Sequence, residues 1–344
     1  MKGIIVSFDE INSYIDPEID LFIGAISEED RCPIGFKKLL ERKIVIKNKL
    51  IFYFNEILDF KVKTPPGNAE VEDRPKKIEK FDKYFNILNE SEKLFVSLAD
   101  EVEGIKYFRT QFNKIFPNPD KIKIAIDFSV MVKPYYFLLL RYLYEYIKPQ
   151  RIFLIYTEPA SYNQKLPFFS NKTRNTFTKG RIDTCEIPTF SGQNYLSKTT
   201  ALIILLGFEG QRATEIVNSI SQQMIIPVNG FPSYRPEFKD ISILSNDDLF
   251  KEESTFDALQ YAPSHDPFET YNVLKTILMK HQDKNNIAIA PLGTKPMALG
   301  ACFLGLEFRE CRIVYPYPLE YIIKSSTGFG NSWIYIVEFF DNRT

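Results

Sequence analysis

Short apolar runs alternate with helix-like stretches along most of the chain, and this alternation constrains the fold more than any other feature. Runs such as DLFIGAIS (Asp20–Ser27) and ALIILLGF (Ala201–Phe208) have continuous apolar centres instead of alternating with a period of two. Strands of this kind are buried on both faces, as in a parallel sheet that is covered by helices. We therefore predict an α/β fold with mainly parallel sheets.

Breaks in this rhythm divide the 344-residue chain, whose length is typical of two domains. We predict a first half at 1–165, a linker or excursion at 166–197 where periodicity is weak, and a second half at 198–344. Within the first half, 61–83 is polar and charged and contains three prolines, so we expect a flexible loop there. The run SWIYIVEFF is expected to close the second half as its last strand.

Several features recur in the same order in both halves and predict an internal duplication of a Rossmann-like unit. A Lys-Pro pair follows one strand of each half, and the strand after it ends in Tyr-x-x-Pro-x-x-Tyr. Upstream, a glycine at a strand end precedes a Glu-x-x-Arg sequence. The recurring residues are Lys133-Pro134, Tyr156, Pro159, Tyr162, Gly24, Glu28 and Arg31 in the first half, and Lys295-Pro296, Tyr315, Pro318, Tyr321, Gly207, Glu209 and Arg212 in the second. The alternative is two unrelated α/β units that share the usual strand and turn chemistry.

The recurring loops are predicted to lie at the carboxyl ends of strands, where open α/β sheets bind ligands beside helix N-termini. There we predict ligand binding by Gly293, Thr294, Lys295, Arg212, Glu209, Asp127, Ser129, Lys133 and Arg31. Each has a structural alternative: a solvated turn for the Gly-Thr-Lys corner, a helix cap for Asp127 and Ser129, and ion pairs with glutamate for the arginines. Buried packing is the expected role of the repeated tyrosines, with stacking on a ligand as the alternative.

Other binding and catalytic patterns are absent from the sequence. It contains neither a GxxxxGK[ST] phosphate loop nor a GxGxxG fingerprint, and no GxSxG or HExxH motif. We therefore leave enzymatic activity undecided, leaning against it, and expect no cofactor. Two histidines and four scattered cysteines lack metal-ligand spacing, so we expect no metal site and reduced thiols.

Charge and hydropathy limit the partners and the location of the chain. The net charge of -1 gives no strong sign of a surface for duplex nucleic acid. The longest apolar run is far shorter than the roughly 20 residues of a membrane span, and the N-terminus lacks a signal-peptide pattern. We expect a cytoplasmic protein without a membrane partner.

The segment APLGTKPMALGACFLGLE, with its Gly-Thr-Lys turn leading into a helix of small residues, resembles CRISPR-associated Rossmann fold (CARF) sensor domains. The resemblance covers about twenty residues strictly, and its turn begins Pro-Leu-Gly where paired glycines are common in that family. It implies recognition of a cyclic oligonucleotide or related nucleotide across two such domains. The repeated Glu-x-x-Arg and tyrosine features are outside that signature and suggest a distinct family associated with antiviral defence.

The leading hypothesis is a regulatory protein of a prokaryotic antiviral or stress-response system. It would sense an anionic nucleotide in a cleft between the two halves and act on a separate effector protein. One alternative is a nucleotide- or nucleoside-processing enzyme, with candidate chemistry at Glu209, Asp127, Glu158 or His265. Another is a structural subunit of a defence complex that docks its partner through SWIYIVEFF.

Overall fold

A computed structural model describes residues 2–14, 17–59, 73–162, 178–179, 183–221, 224–251, 257–318 and 320–338. The chain divides into two compact units. The first unit comprises Met1–Asn163 and Ile323–Thr344, and the second comprises Gln164–Ile322. None of the helices in the described ranges combines the length and apolar character that a bilayer crossing requires.

Seventeen strands and ten helices make up most of the regular structure in the described ranges. In chain order they are β1 (Lys2–Ser7), β2 (Glu18–Ala25), β3 (Val45–Phe54), β4 (Lys93–Val96), β5 (Lys123–Asp127), β6 (Arg151–Thr157), β7 (Ser161–Tyr162), β8 (Thr178–Lys179), β9 (Asp183–Glu186), β10 (Thr199–Leu205), β11 (Met224–Gly230), β12 (Gln260–Ala262), β13 (Asn285–Pro291), β14 (Arg312–Tyr317), β15 (Glu320–Tyr321), β16 (Ser326–Thr327) and β17 (Ser332–Glu338).

Helices connect most of the long strands. They are α1 (Ile34–Glu41), α2 (Asn55–Leu58), α3 (Arg74–Phe85), α4 (Glu101–Ile115), α5 (Lys133–Tyr142), α6 (Gly210–Ser219), α7 (Pro236–Ser245), α8 (Asp247–Lys251), α9 (Pro267–His281) and α10 (Lys295–Glu307). Short 3₁₀ turns at Ile11–Ser13 and Glu90–Glu92 and a π-helical turn at Leu143–Ile147 complete the elements.

The first unit is built on a seven-stranded sheet with the order β1-β17-β6-β5-β2-β3-β4. The strands β6, β5, β2, β3 and β4 run parallel, whereas β17 is antiparallel to both of its neighbours. Phe22 packs on Phe36 of α1, and Phe52 packs on Tyr135 of α5. Because the register places Phe22 beside Lys49, three residues before Phe52, these rings point to opposite faces. Helices therefore cover both faces of the sheet.

Aromatic rings fill the layer between the first sheet and helices α4 and α5. Tyr135 lies edge-on to both Phe52 and Phe54, and Phe108 of α4 stacks on Phe52. These rings are completely buried, and burial of one such side chain contributes about 1.5–3 kcal/mol. The Tyr135 hydroxyl donates to the Ser97 and Asp100 carbonyl oxygens, which satisfies its polar end. Many of the 30 phenylalanines and 19 tyrosines of the sequence thus serve to pack the core.

The second unit is built on a six-stranded sheet with the order β12-β11-β10-β13-β14-β9, in which only β9 runs antiparallel to its neighbour. One face packs against α6 and α8 through a cluster that includes Leu202, Ile216 and Leu249. Helix α10 is buried on all sides and lies directly against α9. A Cβ on Gly300 would come within 2.6 Å of the Pro267 carbonyl oxygen, so glycine permits this close helix contact.

The two sheets share one strand order. If the five parallel strands of each unit are numbered along the chain, their spatial order is third, second, first, fourth, fifth. An antiparallel strand follows the fifth in both cases, β17 in the first unit and β9 in the second. The predicted α/β class with mainly parallel sheets is confirmed.

The boundaries of the units differ from the predicted halves at the C-terminal end. The strand β17, expected to close the second half at 198–344, lies in the first sheet between β1 and β6. Its apolar residues Ile334, Tyr335 and Val337 are buried there. An apolar pattern predicts that a strand will be buried, but it does not specify which sheet will bury it.

Two segments that we expected to be irregular contain regular structure. In the predicted loop at 61–83, residues 74–83 belong to α3, which Asp73 caps and which buries Lys77, Phe81 and Phe85; residues 60–72 lie outside the described part. In the predicted linker at 166–197, β9 forms the edge of the second sheet and Phe190 is buried. Helix α3 was hidden by the many charged residues around its short buried side.

Candidate ligand-binding site

The predicted site residues lie at the carboxyl edges of the two sheets, where the strand order reverses between the first and fourth parallel strands. Ligands of open α/β proteins bind in the crevice at such a reversal. In the second unit the loops after β10 and β13 carry Gly207, Glu209, Arg212, Gly293, Thr294 and Lys295. In the first unit the loops after β2 and β5 carry Arg31, Asp127, Ser129 and Lys133. Each set is brought to one edge of its own sheet.

In the first unit this edge is filled by buried polar side chains. The Asp127 carboxylate accepts hydrogen bonds from the backbone N–H and the hydroxyl of Ser129. The Ser129 oxygen in turn accepts the backbone N–H of Thr157 at 2.8 Å. All three residues are at most 3% exposed. The hydrogen bonds tie the ends of β5 and β6 together, so these groups already have partners within the fold.

Arg31 extends this buried network to the loop after β2. Its Nε donates to Glu29 at 2.7 Å, its Nη1 donates to the Thr157 carbonyl, and its guanidinium lies 5.9 Å from the Tyr156 ring centroid. Burial lowers the pKa of Arg31, but the Glu29 carboxylate, together with Tyr156 and Tyr162, outweighs burial and raises the pKa above its usual value. The ion pair weighed for Arg31 is formed with Glu29 and not with Glu28, whose carboxylate accepts a hydrogen bond from Lys80 at 2.7 Å.

Residues 325–331, here called the return segment, also contact this edge of the first unit. Ser325 donates to Glu29 at 2.7 Å, and the backbone N–H of Gly328 donates to Asp30 at 2.7 Å. The Asn331 N–H donates to Glu158 at 2.8 Å. The acidic side chains of the loops are therefore bound by the chain itself.

In the second unit Arg212 makes the same three kinds of contact as Arg31. Its Nη1 lies 3.2 Å from Glu209 within the first turn of α6, its Nη2 donates to the Pro316 carbonyl at 2.6 Å, and it lies over the Tyr315 ring at 5.4 Å. The carbonyl acceptor follows the stacked tyrosine by one residue, as in the first unit. The ion pair weighed for Arg212 is present, and Tyr315 is buried.

The other half of the second-unit edge is a corner of backbone and half-exposed side chains. A Cβ on Gly207 would overlap the Leu292 carbonyl oxygen, so only glycine lets the loops after β10 and β13 approach this closely. Thr294 caps α10 by accepting the Met297 N–H at 3.3 Å, and its hydroxyl donates to the Ser264 carbonyl at 2.6 Å. Gly207, Glu209, Thr294 and Lys295 are all partly exposed, unlike Asp127 and Ser129.

Lys295 and Lys133 occupy the same position in their helices. Each is the first residue of its helix and precedes a proline in the first turn. Each is partly exposed. The cap residues differ, because Thr294 accepts a hydrogen bond from the helix whereas Val132 has no side chain that can do so. Of these two helices, only α10 therefore has a polar cap residue beside the lysine at its positive end.

The remaining sequence candidates are placed as follows. Asp266, which follows the candidate His265, caps α9 by accepting hydrogen bonds from the N–H groups of Phe268 and Glu269. Tyr156 packs on Phe128 at 5.6 Å and is buried, as predicted for packing. The side chain of Tyr321 lies outside the described part. The four cysteines are free thiols, of which only Cys185 is exposed.

A metal centre finds no support in the described ranges, where no group of three or more His, Cys, Asp or Glu side chains is placed to hold an ion. The thiols of Cys32 and Cys311 are buried, and burial raises the pKa of each. Raised values disfavour the thiolate form that metals and electrophiles require.

Comparisons with known proteins give little further information. No protein-family model matches the sequence, and no curated protein matches it. Among solved structures, part of the chain is similar to Can2 from Sulfobacillus thermosulfidooxidans, solved in complex with cyclic tetra-adenylate (cA4). The identity is 17%, the TM-score is 0.28, and the match covers 34% of this chain and 31% of that one. Similarity at this level does not establish a shared fold or ligand.

Proposed function

We propose that this protein is a nucleotide-sensing regulatory protein whose anionic ligand binds at the carboxyl edge of the second sheet. The observation that carries the proposal is the corner where the loops after β10 and β13 meet at the reversal of strand order. Gly207 brings the two backbones together there, and Thr294 and Lys295 stand at the N-terminus of α10. Such a corner is where α/β proteins bind phosphate groups.

The charges at this corner favour an anion. Helix α10 has 13 residues, and the positive end of its dipole points to the loop after β13. Lys295 adds a full positive charge at the first helical position. The Arg212 guanidinium is held against Glu209 and the Pro316 carbonyl, so its role there is to fix the loop that carries Glu209. We expect Lys295 to contact a phosphate directly, whereas Thr294 supports the corner as the cap of α10, because its hydroxyl already donates to the Ser264 carbonyl.

For the first unit, ligand binding by Asp127, Ser129, Lys133 and Arg31 stays a prediction. Three of these side chains take part in the buried network described above, which favours a structural role for them. Lys133 is half-exposed and occupies the position that Lys295 has in the second unit. It is therefore the residue with which to ask whether both units bind the ligand or only one does.

The resemblance at Gly293–Lys295 points to cyclic oligonucleotides as the ligand class to test first. We propose that occupancy acts on a separate effector protein, as expected for a component of a prokaryotic antiviral or stress-response system. The common strand order and the matching contacts of Arg31 and Arg212 also support the proposed internal duplication. Experimental structures of the two units, superposed on their parallel strands, should bring Arg31 onto Arg212; displaced arginines would contradict duplication.

The decisive experiment compares Lys295→Ala with Lys133→Ala in calorimetric titrations with cyclic tetra-adenylate, linear tetra-adenylate and ATP. We expect the wild type to bind at least one of them and Lys295→Ala to weaken binding by about tenfold or more, which is about 1.4 kcal/mol. Unfolding midpoints should change little, because Lys295 is partly exposed.

Lys133→Ala is the matched control, since it removes the same charge from the same helical position. Unchanged binding in Lys133→Ala would assign the site to the second unit, and an equal loss would include the first unit in it. Unaltered binding in Lys295→Ala, or no binding of any of the three nucleotides to the wild type, would refute the proposal.

A further inference from the structure

A polar cavity lies in the second unit, away from the candidate site. It has a volume of about 230 Å³ and opens beside the amino ends of β10 and β14, at the opposite edge of the sheet from Gly293. Its lining is mainly polar and includes Thr184, Cys185, Glu186, Thr200, Ser221 and Arg312. A cavity of this size suits a ligand smaller than a nucleotide.

Arg312 gives this cavity an incompletely neutralised positive charge. The residue is only 9% exposed, and its Nε is buried without a hydrogen-bond partner in the described part of the chain. Among the described residues its ionic partner is Glu186, whose Oε1 lies 3.7 Å from Nη1, beyond hydrogen-bonding distance. Buried charges are normally paired and hydrogen-bonded. Within the described ranges the guanidinium therefore has only this loose ion pair, which is less than its burial calls for.

We propose that this cavity binds a compact oxyanion, a carboxylate or a phosphate, through Arg312. The planar guanidinium binds oxyanions through several parallel N–H donors. Hydroxyl groups of Thr184, Thr200 and Ser221 line the same space and supply additional donors. This inference is independent of the proposed nucleotide site, since it shares no residue with it.

Glu186 sets a limit on the affinity for such an anion. Its side chain is 40% exposed, so it competes for Arg312 from the solvent side of the cavity. An entering anion must displace it or accept its repulsion. Replacing Glu186 by glutamine should therefore strengthen anion binding, whereas replacing Arg312 should abolish it.

Cys185 provides a direct reporter of occupancy. It lines the cavity and is exposed, whereas Cys32, Cys302 and Cys311 are buried, so iodoacetamide should modify Cys185 first. The rate is measured on the full chain by peptide mass spectrometry with inorganic phosphate, with acetate, or with chloride at equal ionic strength. We expect phosphate or acetate to slow alkylation several-fold relative to chloride, and the more protective anion identifies the oxyanion class.

The variants separate anion binding from a structural role of Arg312. Protection should disappear in Arg312→Gln, increase in Glu186→Gln, and persist in the matched control Arg235→Gln, which removes an exposed arginine of the same unit. It should also persist in Lys295→Ala, so that failure of the nucleotide proposal leaves this one standing. If Arg312→Gln does not fold, the comparison of Glu186→Gln with the wild type decides. No protection of the wild type by either anion, or full protection in Arg312→Gln, would overturn the proposal.

Discussion

The carboxyl edges of the two sheets are built on the same strand order and are finished in different ways. In the first unit Asp127, Ser129 and Arg31 form a buried network, and the return segment binds the acidic loop residues. In the second unit the corresponding corner consists of glycine backbone and the half-exposed Thr294 and Lys295. The comparison teaches that one topology supports either a closed polar network or an accessible corner, and that side chains decide which.

The arginine contacts are the part of this comparison that the two units have in common, and they should dominate stability. We expect Arg31→Met to lower the free energy of unfolding by about 4 kcal/mol and Arg212→Met by about 3 kcal/mol, since each removes the arginine partner of a glutamate side chain that is at most 12% exposed. The Arg31 pair is shorter and more deeply buried. Urea unfolding followed by circular dichroism measures both.

Arg151→Met is the control for this pair of variants. Its ion pair with Glu338 is about 45% exposed on both sides, so the loss should stay below about 1 kcal/mol. A loss for Arg212→Met that exceeds the loss for Arg31→Met would reverse the ranking and make the second unit the more tightly tied one.

Each unit has a glycine near the end of its first parallel strand, and replacing it with alanine should destabilise the two units to different extents. Gly207→Ala places a Cβ against the Leu292 backbone carbonyl, whereas Gly24→Ala meets only side-chain atoms, of Phe22 at 3.0 Å and of Ile51 at 3.4 Å. We expect losses of about 3 and about 1 kcal/mol in unfolding free energy, respectively. Equal urea midpoints for the two variants would show that the loops after β10 and β13 need no close approach.

Ser129 and Thr294 each follow the fourth parallel strand of their sheet. The stability lost when each hydroxyl is removed should show how deeply each edge is buried. Ser129→Ala removes two buried hydrogen bonds, with Asp127 and with the Thr157 N–H, and should cost about 2 kcal/mol. Thr294→Ala removes a half-exposed helix cap and should cost about 1 kcal/mol. Thermal unfolding measures both, and an equal cost would contradict the contrast between a closed and an accessible edge.

Acid titration should give the smallest effect, at the amino edge of the first sheet. Burial raises the pKa of Asp20, but hydrogen bonds from the Lys123 N–H and the Lys47 side chain lower the pKa by more than burial raises it, so the net shift is downward. A lowered pKa contributes stability that is present above the unfolded value of about 3.9 and is lost as the pH falls through the folded value.

Urea unfolding between pH 5 and pH 2.5 tests this contribution. The loss of stability over that range should be smaller in Asp20→Asn than in the wild type, because the variant has no carboxyl group to protonate. If the free energy of unfolding falls equally with pH in both proteins, Asp20 does not contribute to the acid dependence of stability.

Much of the fold could be predicted because its central strands are apolar on both faces. A run such as ALIILLGF leaves little choice but a covered parallel sheet, and the Lys-Pro pairs correctly placed the starts of α5 and α10. Helix α3 was missed because its buried side comprises only Lys77, Phe81 and Phe85 among many charges. The sheet that would take up β17 could not be predicted, since apolar periodicity carries no information about pairing partners.

The candidate site could be predicted in outline and not in its contacts. Repeated motifs placed Arg31 and Arg212 at strand ends, and the structure finds them there. Which glutamate pairs with Arg31 depends on the course of a loop, and spacing alone chose Glu28 where Glu29 binds. The cavity at Arg312 was missed altogether. A charged residue that begins an otherwise apolar strand was the only trace of it in the sequence.

The position of β17 has a consequence for the order in which the chain becomes folded. Its hydrogen bonds to β6 join residues such as Ser332 and Thr157, and the whole second unit lies between them in sequence. During synthesis every strand of the second sheet leaves the ribosome before β17 exists, and domains generally fold as units as they emerge. The first sheet, although it begins the chain, is therefore the last to be completed.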